Sequence, residues 1–363
     1  MMLNPPLRFS PDVETPEEDE QHVIQGIIDG MIEQSRVVGK REGRMVRASH
    51  AKPTALAVGT LDVAAHLPAE LAQGVFATPG QYPVAARFAQ GAGETLGDRV
   101  SIHRGLSLKL FGVKGEKLPG HDTETQDFIL ASGPTFPSGT AAGFLRDGGV
   151  IGKAAALPEG VKSAVSSVAR GLNHALGHVG AQSPMADFLG HPYSHPLSEP
   201  YYSQAPLRYG AYVAKIAAFP IMPDLEALQS WRLDPHHDED GFRHETVTYF
   251  GGREVVFDVR VQLWNNAETQ PIEDASIIWS ADEAPFRSVG RLSFPVQNAF
   301  SAQRAAFFED HLVFRPSQGL SAHRPLGSVM RARMQVYKAL SAFRHGGNGQ
   351  TEIQPVSIEQ IPA

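Results

Sequence analysis

The spacing of apolar positions divides the chain into an early helix, two sets of strand-like runs and a late helical region. Over residues 21–36, Val23, Ile24, Ile27, Ile28, Met31 and Ile32 recur at the three-to-four-residue interval of one helix face. The residues before it are polar and proline-punctuated, ending in Glu17, Glu18, Asp19 and Glu20, and read as an arm. Runs rich in Val, Leu, Phe and Tyr, bounded by turn residues, follow at 56–63, 84–89, 105–113 and 127–131. A second set lies at 209–219, 245–250, 254–263 and 288–294, with Gly251-Gly252 at hairpin spacing between two of them. Residues 139–183, rich in alanine and glycine, read as helices with loops, and 191–206 as a proline-rich loop. Residues 301–344 turn helical again, most clearly over 328–343. Eight strands in two groups of four, with helices inserted and appended, suit an α+β protein built on an eight-stranded antiparallel β-barrel. The chain then divides into an arm (1–20), one domain (21–345) and a tail (346–363).

Composition narrows the classes of function. A length of 363 residues is enough to bury a substantial core. The formal net charge of -7 argues against general attraction to nucleic acid or to an anionic membrane surface. The absence of cysteine excludes disulfides, thiolate ligation and cysteine nucleophiles. No basic-then-apolar leader and no bilayer-length apolar run is visible, so the expected location is the cytoplasm.

Two distant segments carry candidate chemistry. Arg47-Ala48-Ser49-His50 is followed by Pro83-Val84-Ala85-Ala86-Arg87-Phe88, which places an acid–base group near two guanidiniums suited to pairing with carboxylates. The bland alternative is a structural histidine with surface ion pairs that contribute little. At the other end, His323-Arg324-Pro325-Leu326-Gly327 leads into a helix on which Arg333 and Tyr337, four apart, share a face. A free phenol titrates near 10, and a guanidinium beside its oxygen favours the phenolate, an oxygen ligand for ferric iron. The bland alternative there is an aromatic packing the helix against the barrel. His174 with His178, and His191 with His195, are also four apart, but the first pair lacks the adjacent Glu of a His-Glu-x-x-His site and prolines interrupt the second. Gly91-Ala92-Gly93-Glu94 reads as a barrel turn, since the dinucleotide fingerprint is incomplete.

On these residues the chain resembles the haem catalase superfamily, in particular its small branch of catalase-like peroxidases and coral-type allene oxide synthases. The matching segments are Arg47 to Lys52, Pro83 to Phe88, Arg104-Gly105-Leu106-Ser107-Leu108-Lys109, Phe128-Ile129-Leu130 through Phe136-Pro137, and the closing His323 to Gly327 with Arg333-Met334-Gln335-Val336-Tyr337. The resemblance implies a catalase-like barrel holding haem b, with Tyr337 as the axial ligand to iron and Arg333 supporting the tyrosinate. It implies His50 as the distal acid–base, Arg47 and Arg87 near the propionates, and Phe128 and Phe136 lining the pocket. Catalases pair the distal histidine with an asparagine; the matching stretch, Gly120 to Gln126, offers only Asp122 or Thr123. Ser49 stands where catalases carry valine and allene oxide synthases threonine, and a hydroxyl there can bond the imidazole and make it a worse base. The expected activity is peroxidase turnover of an organic (lipid included) hydroperoxide or hydrogen peroxide, with weak catalase activity. The alternatives are rearrangement of a fatty-acid hydroperoxide and haem binding without catalysis. The expected partner is a small peroxide, with no nucleic acid and no membrane span; the arm and its helix are candidate contacts of a homo-oligomer.

Overall fold

The computed structural model describes residues 4–147, 157–178 and 183–363. Nine strands form one sheet: β1 (Pro53–Val63), β2 (Gly80–Gln90), β3 (Arg104–Phe111), β4 (Thr125–Ser132), β5 (Tyr201–Tyr202), β6 (Leu207–Tyr209), β7 (Tyr212–Pro220), β8 (Val255–Leu263) and β9 (Arg287–Phe294). Their order is β5-β4-β3-β2-β1-β9-β8-β7-β6, and β5 also pairs with β7. That extra pairing closes eight antiparallel strands into a barrel and leaves β6 as a hairpin partner outside the ring. Alternation along each strand decides what faces inward. Phe88, Leu108, Phe128, Ile216, Phe257 and Leu292 fill the interior, where each contributes roughly 1.5–3 kcal/mol by leaving water.

The helices are α1 (Glu20–Glu42), α2 (described over 141–147), α3 (Glu159–His178), α4 (Pro184–Leu189), α5 (Leu225–Ser230), α6 (Gly241–Gly252), α7 (Ala302–Asp310) and α8 (Ser328–Asn348). The apolar stripe of α1, Val23, Ile24 and Ile27, packs on Ala332 and Val336 of α8. The start of α8 is pinned from several sides. Gly327 has φ 85, and the Ile272 carbonyl leaves no room for a Cβ there. Arg331 is held by Glu14, Glu20 and Glu273. The acidic arm is thus stapled to its own chain, and Leu7 and Phe9 pack beside Trp264 and Leu326. His323 lies inside the barrel, where its Nε2 accepts from the Val75 amide at 2.9 Å.

Seven of the eight strand readings meet β1 to β4 and β7 to β9. The exception is 245–250, which lies inside α6. Its residues are β-prone in type, but Phe242, Thr246, Tyr249 and Phe250 are buried at helical spacing, and Tyr249 and Phe250 pack into the barrel cluster. Gly251-Gly252 therefore ends a helix and is not a hairpin turn. The eighth barrel strand is β5, two tyrosines within the stretch read as a loop. Part of the 139–183 reading, residues 148–156 and 179–182, falls outside the described residues.

Candidate active site

A cleft lies on the outer face of the barrel, between strands β2 to β4 and helices α1 and α8. It holds about 1440 Å³ of empty space, part of it open to solvent. One wall follows the two-residue period of strands: Arg87 and Ala89, Gly105 and Ser107, Ile129 and Ala131. The other follows the helical period along α8: Val329, Ala332, Arg333, Val336, Tyr337, Leu340 and Arg344. Ile27, Met31, Phe136, Phe144 and Phe188 make the remainder largely apolar.

His50 enters this cleft just ahead of β1. Its backbone has φ 55, a left-handed conformation that is unfavourable for a non-glycine residue and is held here by neighbours. The His50 amide donates to the Gly91 carbonyl at 3.0 Å and the Ala51 amide to Ala92 at 2.7 Å. The ring lies directly over Gly105, where any Cβ would collide with it. Burial, then His103, Arg87 and Arg333, push the imidazole well below its usual pKa, against the opposing Ala89 carbonyl. Ser49 lines the same cleft. His50 Nδ1 is buried with no partner, so the Ser49 hydroxyl does not bond it.

Across the cleft, Arg333 Nη2 donates to the Tyr337 hydroxyl at 3.0 Å, and its guanidinium carbon lies 5.3 Å from the ring centre. Further along sits a cluster of three arginines around one carboxylate. Arg87 grips Glu309 of α7 with two nitrogens, at 2.8 and 3.2 Å, and Arg47 reaches it at 3.3 Å. Arg344 donates to the Glu309 carbonyl oxygen. Burial alone would raise the Glu309 carboxyl, but Arg87 and Arg47 hold it down at about 2. Arg47 is drawn down to about 9, first by burial and then, with Glu309 opposing, by Arg87 and Arg344. Asp310 is engaged by Arg44, so three guanidiniums face one carboxylate and two positive charges stay uncompensated.

The structure brings Arg47, Ser49, His50, Arg87, Phe136, Arg333 and Tyr337 to one cleft. It does not bring Phe128, Asp122 or Thr123. Phe128 points into the barrel, edge-on to His323, and its neighbour Ile129 takes the wall position instead. Asp122 is exposed, and Thr123 bonds Thr125 at 3.0 Å beyond the far end of β4. From Thr123 to Ile129 is roughly 20 Å of extended chain. His103 and Gln204 are further polar residues that line the cleft. His103 meets the His50 ring edge-to-face at 5.2 Å and stacks on Phe188 at 4.2 Å. Gln204 donates to the Thr135 carbonyl at 2.7 Å. Sequence reasoning also missed Arg344 and Glu309. Arg344 was within reach, since it follows Tyr337 by two helical turns on the same face. His191 and His195 serve separate networks: His191 bridges Asp187 and Glu199, and His195 accepts from the Leu197 amide. The His178 side chain lies outside the described residues; among those described, no group of three His, Asp or Glu is placed to hold a metal.

No protein-family model and no curated protein matches the chain. Solved structures do. A fungal catalase aligns with a TM-score of 0.59 at 16% identity, over 85% of this chain and 61% of that one. Catalase A from Saccharomyces cerevisiae gives 0.54 at 15%, over 84% and 62%. A bacterial catalase gives 0.54 at 17%, over 94% and 63%. The barrel is therefore catalase-like, and the chain spans about three fifths of the length of those catalases.

Proposed function

We propose that the protein is a haem-dependent peroxidase that acts on organic hydroperoxides. The observation that carries this reading is the arginine cluster with two uncompensated charges beside the cleft. A buried charge excess is unfavourable unless a ligand balances it, and haem b brings two carboxylates. Arg47, Arg87 and Arg344 would hold those carboxylates. Tyr337, its hydroxyl accepting from Arg333, would supply an oxygen ligand to the iron. His50 is the base on the opposite wall. When bound, ferric haem supplies the redox chemistry of peroxide cleavage. The chain's own contribution is acid–base and positional. Neutral His50 is free to take the proton of a hydroperoxide and return it to the leaving oxygen. The apolar lining from Ile27, Met31, Phe136 and Phe144 excludes water and suits a substrate with a hydrocarbon body.

The test begins with titration by ferric protoporphyrin, followed by absorption. Wild type is expected to give a tyrosinate-type spectrum, and Tyr337→Phe to lose that spectrum or the haem itself. A Tyr337→Phe variant with unchanged spectrum and affinity overturns the ligand assignment. Turnover of an organic hydroperoxide with an electron donor separates a peroxidase from a haem carrier. Products from a fatty-acid hydroperoxide without donor separate reduction from rearrangement to an allene oxide.

A further inference from the structure

Two imidazoles line the cleft beside each other, and the mechanism above uses only one of them. His50 and His103 meet edge-to-face with ring centres 5.2 Å apart. Each has an Nδ1 that is buried without any hydrogen-bond partner, and both residues line the cleft. Buried polar nitrogens of this kind are rare and call for a reason. The chain makes specific room for both rings. A Cβ on Gly105 would collide with His50, and a Cβ on Gly91 would collide with His103. Phe188 fixes the second ring by stacking on it.

We propose that His103 is a second substrate-binding imidazole, which grips the oxygens of a bound hydroperoxide together with His50. This rests on the functional reading above and answers what stands beside the distal histidine in place of an amide. One imidazole accepts and the other donates. The hydroperoxide O–H bond breaks as its proton forms an N–H bond on His50, and His103 donates a hydrogen bond to the oxygen that keeps the electron pair. The pair then carries one proton more than two neutral imidazoles, and its positive charge faces the hydroperoxide anion. His50 faces His103, Arg87 of β2, Arg333 of α8 and the Ala89 carbonyl; His103 faces the Phe188 carbonyl, Asp187 of α4 and His191. Burial first of all keeps His103 at about 4, so both rings are neutral, as the exchange requires.

The first arm follows cyanide binding to the ferric-haem-loaded protein, since hydrogen cyanide must give up a proton to bind. His103→Leu should slow association about tenfold, the loss of one charge-assisted hydrogen bond. His103→Asn, which keeps a donor, should recover to within about threefold, with haem content and spectrum unchanged in both. Wild-type association in His103→Leu overturns the proposal. The second arm needs no haem: nitrogen NMR of the histidine-labelled chain across pH. The two rings should titrate as a coupled pair, with the His50 midpoint moved upward in His103→Leu. Independent titration curves in wild type overturn the pairing even where the Leu variant fails to fold. A chain that takes up no haem defeats the functional reading alone, because this second arm still decides the pair.

Discussion

Two of the buried networks of acids and bases differ in the sum of their charges. Arg104, His191, Asp187 and Glu199 form the first. Arg104 pairs with Glu199, and His191 bridges Asp187 and Glu199 at 2.9 Å on each side. Burial would lower His191, but Glu199 and Asp187 raise it to about 9, so at neutral pH two positive groups meet two negative ones. Arg47, Arg87, Arg344 and Glu309 form the second, where three positive groups meet one negative. The first is complete in itself. It fastens α4, and with it Phe188, against the barrel. The second carries two positive charges in excess, which the proposed haem carboxylates would balance. Both are largely buried, and the charge sum is what separates the structural network from the proposed binding site.

Breaking each network in turn tests that distinction. Arg104 is buried and bonds Glu199 and the Pro192 carbonyl. Arg104→Met should cost about 3–5 kcal/mol in urea unfolding, because it strands a buried carboxylate. Adding ferric protoporphyrin should recover none of the stability that depends on Arg104. Glu309→Gln should cost somewhat less, on the order of 3 kcal/mol, since Glu309 is partly exposed and its loss leaves like charges together. Here saturating protoporphyrin should recover most of the deficit by mass action. Equal recovery, or none, in both variants would remove the proposed difference between the networks.

Much of the catalase-like barrel was legible because its strands are long enough to show a pattern. β5 was not, since two residues have no period and only their partners on β4 and β7 define them as a strand. The 245–250 segment misled because its residue types favour strands, while the packing of Phe242, Tyr249 and Phe250 against the barrel end sets a helix. The site divides the same way. His50, Arg87, Arg333 and Tyr337 sit in short local motifs whose chemistry can be read in order. Phe128 was off by a single residue, and on a strand one step exchanges the inside of a barrel for the outside. Glu309 and His103 carry no local sign at all. Glu309 gains its meaning from Arg87, 222 residues away, and His103 from a contact that forms only when β3 is laid beside β2.

The smallest expected effect is also the sharpest, because the two networks should answer pH differently. Glu199 and Glu309 are both held at about 2, below the usual 4.5, so each contributes stability above about 4.5 that is lost as pH falls toward 2. On the acid side the networks behave alike. His191 acts on the alkaline side only. Its pKa is raised from 6.5 to about 9, so its contribution is full below 6.5 and disappears as pH rises through 9. A shift of that size corresponds to roughly 3 kcal/mol. Lys215, which burial lowers to about 7, acts with the opposite sign over the same range, so wild type alone is not a clean readout. The informative quantity is the stability gap between wild type and His191→Gln, in which the Lys215 contribution cancels. That gap should be about 2–3 kcal/mol at pH 6.5 and should close by about pH 10. A gap that stays constant would mean that His191 carries no charge. The first network would then hold one positive group against two negative ones, and the contrast between a balanced network and an unbalanced one would fail.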